Sequence, residues 1–319
     1  MKLKSAFNQP VILLIAGMTI FSSCKKDDNA TANTNTITDI VVAGSSFTSL
    51  ESAVVKADLQ GTLSAAGPYT VFAPDDAAFT ASGITASVLN SLTRTRVKDI
   101  LLYHTISGKI NAADVPAGPN AKVITAGGDS IFVSKNANGV FVNGIKVNNP
   151  DVAADNGVIH GIEKVLMPPA GNIVETAIAS KLDSLVKSVT IATTAPGGDP
   201  TLAATLSNAK LTVFAPTNSA FTQLLGALGL NKIEDISIGT LLAVLRYHVV
   251  DGRAFSSDLA NGSLSMLGGG NTTVNLTNGT GGGPTLTGNG NSGNKSNVTA
   301  TNIVCRNGVV HLIDRVLIP

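Results

Sequence analysis

The sequence predicts an α+β fold built twice in tandem, each copy opening with helices and closing with strands. Three observations lead there. Blocks of sequence return in the same order about 145 residues apart, a period far too long for a solenoid repeat, so each copy is a whole domain. The first part of each copy carries apolar residues at the helix period. The later part alternates apolar and polar residues over short runs broken by Gly and Asn.

The repeat is carried by three blocks. Thr70 to Phe79 (TVFAPDDAAF) returns as Thr212 to Phe221 (TVFAPTNSAF), an offset of 142. Tyr103-His104 returns as Tyr247-His248, an offset of 144. Asn156 to Pro168 (NGVIHGIEKVLMP) returns as Asn307 to Pro319 (NGVVHLIDRVLIP), an offset of 151. The growth by seven between the last two blocks marks an insertion in the second copy. It is placed at Gly288 to Lys295, inside a Gly/Asn-rich stretch that starts near Gly268 and runs to 297. Such composition reads as a flexible loop. The first copy spans 37–168 and the second 171–319. Pro168 and Pro169 mark the boundary, since each fixes φ and removes a donor. With about three residues between the copies, a close and stiff pair is expected.

The elements follow in order within each copy. Phe47, Leu50, Val54 and Leu59 recur at helical spacing, as do Leu182, Leu185, Val186 and Val189. Thr70 to Ala73 alternates as a strand that Pro74 ends, and Asp75 follows as a helix N-cap; Thr217 holds that place in the second copy. A helix is predicted over Arg96 to His104, burying Val97, Ile100, Leu101 and His104, with a counterpart over Ile238 to His248. Short strands at Ile131 to Val133, Val140 to Val142 and Ile145 to Val147 are separated by Asn138-Gly139 and Asn143-Gly144. The last strand, Val158 to Leu166, is apolar on both faces and therefore central.

The Thr-Val-Phe-Ala-Pro block, the Tyr-His pair and the terminal Asn-Gly-Val-(Ile/Val)-His block resemble the signature boxes of fasciclin (FAS1) domains. The resemblance covers nearly all of 37–319. It implies two FAS1 domains, each a β-wedge of about seven strands packed with a helical layer. It also implies adhesion or extracellular-matrix-like binding without catalysis and without a cofactor. In animal members a short Asp-Ile-Leu motif beside the Tyr-His stretch is implicated in integrin binding. Asp99, Ile100 and Leu101 match that pattern before Tyr103-His104, while Ala243 stands in the second copy at the place of Asp99. The alternative for this segment is an ordinary amphipathic helix with Ile100 and Leu101 in the core.

All four histidines, His104, His160, His248 and His311, fall inside the repeated blocks, two per copy. A zinc site needs three or four converging ligands, so these histidines read as structural, together with Tyr103 and Tyr247. Neither a Gly-x-Ser-x-Gly elbow nor a matched nucleophile accompanies them, which leaves a cryptic hydrolase as the weaker rival. A periplasmic ligand-binding or envelope-maintenance protein is a third reading.

The N-terminal residues indicate export. Lys2 and Lys4 precede an apolar run from Val11 to Phe21, which is too short for a bilayer span of roughly 20 residues. Residues 1–23 therefore read as a signal peptide. Phe21-Ser22-Ser23-Cys24 resembles a lipobox, which makes Cys24 the lipidation site and membrane anchor. A tether over 24–36 follows. Its Lys25-Lys26-Asp27-Asp28 resembles the surface-export signal of Bacteroidota lipoproteins, so an outer-membrane lipoprotein at the cell surface is expected, with a periplasm-facing one as the alternative. Cys305 is then left without a disulfide partner and reads as a small buried hydrophobe.

Loss of Lys2 and Lys4 leaves 20 basic residues (22 less two) against 21 acidic ones, and the chain has no Trp and three Tyr. Neither a basic stripe nor a stacking platform is visible, which argues against nucleic acid. The expected partner is a protein or glycan at the cell surface. Cys24→Ser is expected to abolish palmitate labelling and release the protein from the membrane pellet. Labelling that survives the substitution would refute the assignment.

Overall fold

Prolines that close a strand and acceptor side chains that open a helix divide each half of the chain into similar runs of elements, with six described α-helices in the first and five in the second. The computed structural model describes residues 35–319. The first domain runs α1 (Ile37–Ala43), α2 (Thr48–Ala57), α3 (Gln60–Ser64), β1 (Tyr69–Pro74), α4 (Asp76–Ala81), α5 (Ala86–Ser91) and α6 (Arg94–Tyr103). Six strands follow: β2 (Thr105–Ser107), β3 (Gly118–Ile124), β4 (Ser130–Asn136), β5 (Gly139–Val142), β6 (Ile145–Ala154) and β7 (Gly157–Ile162). The second domain repeats the plan with α7 (Ile173–Ala179), α8 (Asp183–Thr194), α9 (Thr201–Asn208), β8 (Leu211–Pro216), α10 (Asn218–Leu228) and α11 (Ile238–Arg246). Its remaining strands are β9 (Val249–Asp251), β10 (Gly262–Ser265), β11 (Asn271–Asn275), β12 (Thr285–Gly288), β13 (Ser296–Cys305) and β14 (Gly308–Ile313). None of the described helices is long and apolar enough to cross a membrane.

The caps sit where the sequence placed them. Asp75 accepts from the Ala78 N–H at 2.7 Å and Thr217 from the Ala220 N–H at 3.3 Å, so each starts the helix that follows its strand. The helix predicted to end at His104 stops one residue earlier, with His104 as its C-cap, and its counterpart ends at Arg246.

Each domain holds one seven-stranded sheet, in the orders β2-β1-β7-β6-β5-β4-β3 and β10-β11-β12-β13-β14-β8-β9. The single parallel pairing in each joins the Thr-Val-Phe-Ala-Pro strand to the terminal strand, Phe72 opposite His160 and Phe214 opposite His311. β7 and β14 are thus flanked on both sides, which is why they are apolar on both faces. One face of the first sheet packs under the helices through Val71 and Ile159 against Leu50, Val54, Phe79 and Ile100. The other face closes over Phe72, Tyr103, Ile131, Val142 and Ile162. The second domain splits its core in the same way.

The Gly/Asn-rich stretch departs from the loop that its composition predicts, because β11 and β12 lie within it. The paired strands locate the insertion. Val142 faces Ile145 across β5 and β6, whereas Leu286 faces Ser296 across β12 and β13, so the offset between copies rises from 144 to 151 at this turn. The extra residues are not loose. Asn291 accepts from the Ile318 N–H and donates to the Val316 carbonyl, both at 2.9 Å, and so secures the final segment of the chain. Asn35 and Thr36, assigned from sequence to the tether, bond to the body: Asn35 N–H donates to Asp155 and Thr36 caps α1.

Asn156 and Asn307, which open the terminal boxes, join the helical layer to the sheet. Asn307 accepts from the Ile173 N–H at 2.9 Å and donates to the carbonyls of Leu206 and Ala209 at 2.9 Å each. Asn156 does the same for Ile37, Leu63 and Ala65. Truncation would orphan three backbone groups, and each costs roughly 1–3 kcal/mol when left buried. Asn307→Ala is therefore expected to destabilise the second domain by at least about 2 kcal/mol in urea unfolding. A midpoint unchanged from the native chain would show that water replaces all three bonds.

Candidate functional site

The first place to look for chemistry is the set of histidines, and their surroundings leave none available. His104 donates from Nδ1 to the Ile100 carbonyl at 2.8 Å, and its Nε2 accepts from the Leu166 N–H at 2.9 Å. His248 repeats this with Val244 at 2.7 Å and Leu317 at 2.9 Å. The other pair holds the opposite tautomer. His160 accepts at Nδ1 from the Asp151 N–H and donates from Nε2 to the Ile110 carbonyl, at 3.1 and 2.8 Å. His311 does so with Asn302 and Ala254, at 3.4 and 3.0 Å. In each case an N–H donor on one side fixes the proton on the other nitrogen. The rings also pack on phenylalanines, His160 on Phe72 and His311 on Phe214, with centroids 5.5 and 5.4 Å apart.

Burial holds His104, His248 and His311 neutral, lowering each from 6.5 to about 4. Among the described residues no group of three or more His, Cys, Asp or Glu side chains is arranged to hold a metal ion. Tyr103 donates to the Ser130 carbonyl and accepts from Asn143 Nδ2, and burial pushes its phenol well above the ordinary range. Tyr247 likewise donates to the Asn271 carbonyl. Cys305 is buried, its Sγ 3.2 Å from Thr176 Oγ1, and burial raises its thiol.

On α6 the structure separates the three residues singled out for binding. Ile100 and Leu101 are buried in the helical-layer core, and only Asp99 reaches solvent. Any contact made by this helix is therefore made by Asp99 and exposed neighbours such as Lys98, not by an Ile-Leu pair. Cys24 and the residues around it lie outside the described residues.

The more informative geometry is where the domains meet. Arg253, just before Phe255 in the second domain, lays its guanidinium 3.8 Å from the centroid of the Phe132 ring of the first. Phe132 and Phe255 pack with centroids 6.0 Å apart and form a small apolar cluster with Val304 and Val309. Hydrogen bonds surround it. Asn120 donates to the Arg253 carbonyl at 2.8 Å and to Asp258 at 3.1 Å, and Asn136 donates to the Ser257 carbonyl at 3.1 Å. Gly144 lies so close to Phe255 that a Cβ there would stand 2.6 Å from it, while its φ of +72° also favours glycine.

Asn302 shows how one copy was fitted to the other. Its counterpart Asp151 accepts from the Ala112 N–H at 2.8 Å, and Asn302 accepts from the Ser256 N–H at 2.8 Å. Both residues have positive φ, 60° and 63°, in the strand beside the terminal box. The amide adds what a carboxylate lacks, a donor. Asn302 Nδ2 gives it to Ser256 Oγ and, across the interface, to the Gly144 carbonyl at 3.2 Å. Sequence reading missed this interface. Its only signal was the short connection after Pro168.

Two seven-stranded sheets, each tied to helices by the same histidines and asparagines, define a tandem pair of one domain type, and comparison with known proteins identifies that type. The model of the fasciclin domain matches residues 45–168 and again 187–319, so the chain belongs to the fasciclin-domain family. Protein sll1483 of Synechocystis sp. is 36% identical over 166 residues, covering 51% of this chain and 91% of that protein. Transforming growth factor-beta-induced protein ig-h3 of Sus scrofa is 30% identical over 242 residues, 74% of this chain but 32% of that longer protein. Among solved structures, a FAS1 domain pair from the insect cell adhesion molecule Fasciclin I aligns over 85% of this chain and 96% of its own, at 19% identity and a TM-score of 0.38.

The buried imidazoles make stability depend on pH in a definite direction. The unfolded chain takes up protons as pH falls through 6.5, whereas the folded one does so only near 4. Their contribution is complete above 6.5 and is lost as pH falls toward 4, on the order of 2 kcal/mol per histidine at pH 5. The urea midpoint is expected to fall between pH 7 and pH 5. A His248→Gln variant should show a shallower fall, and equal slopes for both proteins would contradict this account.

Proposed function

We propose that this protein is a non-enzymatic binding or adhesion lipoprotein, anchored through Cys24 at the outer membrane and presenting its two fasciclin domains at the cell surface to a protein or glycan. The observation that carries the reading is the use made of the repeated polar residues. All four imidazoles are buried and each ring nitrogen is taken by a backbone group, so none is free to act as a base or to ligate a metal. What recurs serves the fold, and Asn302, where the first copy has Asp151, fits one domain to the other. A two-domain body whose imidazoles are occupied internally suits recognition by surface complementarity. Family membership supports the same reading.

Two measurements test it. Protease added to intact cells should degrade the chain without prior permeabilisation. Degradation only after permeabilisation would instead favour a periplasm-facing protein. The full-length protein in detergent should then retain a ligand from arrays of matrix proteins and glycans. Asp99→Ala should leave stability within about 0.5 kcal/mol and weaken retention where α6 is a contact surface. Retention of no ligand, together with turnover of an ester or glycoside substrate, would overturn the reading.

A further inference from the structure

Beside the Phe132–Arg253 contact the two domains enclose an open cleft of about 760 Å3. Four of its lining residues are cations: Lys122 from β3 of the first domain, and Lys210, Arg253 and Arg306 from the second. Asp129 is the one carboxylate among the lining residues, so the cleft is cationic by three charges in a chain whose overall charge is close to zero. The imbalance is not relieved by ion pairing. Among the described residues the close pairs made by Lys and Arg are Arg94–Asp58, Lys187–Glu234, Lys232–Asp235 and Arg246–Asp199, none involving these four.

Of the four, Arg253 has a structural duty. Its Nε and Nη2 donate to the carbonyls of Gly308, Cys305 and Arg306 at 3.1 to 3.3 Å, and its face covers Phe132. Its Nη1 donates to none of these carbonyls, which leaves two donors on a residue that lines the cleft. Lys122, Lys210 and Arg306 are exposed and make no side-chain bond among the described residues. Like charges gathered around a low-dielectric concavity repel one another and focus a positive potential into it, which a bound anion would relieve.

The rest of the lining indicates what kind of anion. Asn208 supplies an exposed amide, and Pro119 and Pro169 supply apolar surface, a mixture that suits the hydroxyls and C–H faces of sugars. Phe132 is only 8% exposed and one face lies against Arg253, so no aromatic plane is offered for stacking a nucleobase. The volume falls in the range of pockets that hold small ligands, roughly 300–1,000 Å3.

We propose that the interdomain cleft is a binding site for an anionic oligosaccharide, its carboxylate or sulfate groups held by Lys122, Lys210, Arg306 and the free edge of Arg253. This rests on the binding role above and names the ligand class and the place. Because both domains contribute, the site exists only in the pair.

The test is calorimetric titration of the full-length protein in detergent with oligogalacturonate, dextran sulfate, neutral maltooligosaccharide and poly-glutamate. Binding of oligogalacturonate or dextran sulfate, weakened by salt and absent for maltooligosaccharide, is expected, and whichever binds assigns the anion. The triple variant Lys122→Gln/Lys210→Gln/Arg306→Gln should weaken it at least about tenfold with an unchanged melting temperature. The control Lys109→Gln/Lys146→Gln/Lys295→Gln removes the same charge outside the cleft and should bind like the native chain. Equal weakening in both variants, or poly-glutamate bound as tightly as the glycans, would overturn the site. Array ligands retained undiminished by the cleft variant would also remove it, while leaving the broader binding role standing.

Discussion

Where the terminal strand of each domain leaves the sheet, the N–H of Leu166 or Leu317 is buried, and it is an imidazole that accepts from it. That imidazole is held in turn by the carbonyl four residues earlier in the preceding helix. The link therefore joins the helical layer to the end of the central strand through one small, neutral, bifunctional ring. No carboxylate or ammonium could replace it, because the site demands a donor and an acceptor at once without a charge. His160 and His311 make the second such link, fixing the positive-φ residue of the neighbouring strand to the loop beyond β2 or β9. With Asn156 and Asn307 binding the first helix of each domain, these few polar side chains set where layers meet, and the apolar residues fill what they outline.

The same economy governs the domain pair. Each copy keeps a positive-φ residue next to its terminal strand, but a carboxylate serves where only an acceptor is needed and an amide where a donor must also cross to the other domain. Phe132, Phe255 and Arg253 complete a contact that is apolar at its centre and hydrogen-bonded at its rim. Fixing the domains in this way also fixes the cleft beside them. A flexible linker would have allowed the cations to drift apart, whereas here their spacing is part of the fold.

Several elements were legible because they obey local rules. Asp75 and Thr217 cap helices by accepting from the N–H three residues further on, and the central strand declares itself by being apolar on both faces. β2 and β3 were not legible. β2 has three residues, and β3 is largely exposed at the sheet edge, so neither carries a strong alternating pattern. The Gly/Asn-rich stretch misled for a related reason. Composition reports chain entropy, not the neighbours that overcome it, and here those neighbours are β13 and the final segment of the chain. On α6, helical periodicity correctly placed Ile100 and Leu101 inward, which leaves Asp99 to solvent.

The sequence by itself determined the duplication, the α+β order within each copy, the histidines as parts of the fold and the family to which the chain belongs. All of these are written in contiguous blocks whose meaning depends on near neighbours along the chain. The tertiary structure alone decided the domain interface and the cationic cleft. Lys122, Lys210, Arg253 and Arg306 lie as many as 184 residues apart, and in a linear count they disappear into an almost neutral total. Charge acts through space, so only the fold that brings four remote cations around one concavity gives them a common role.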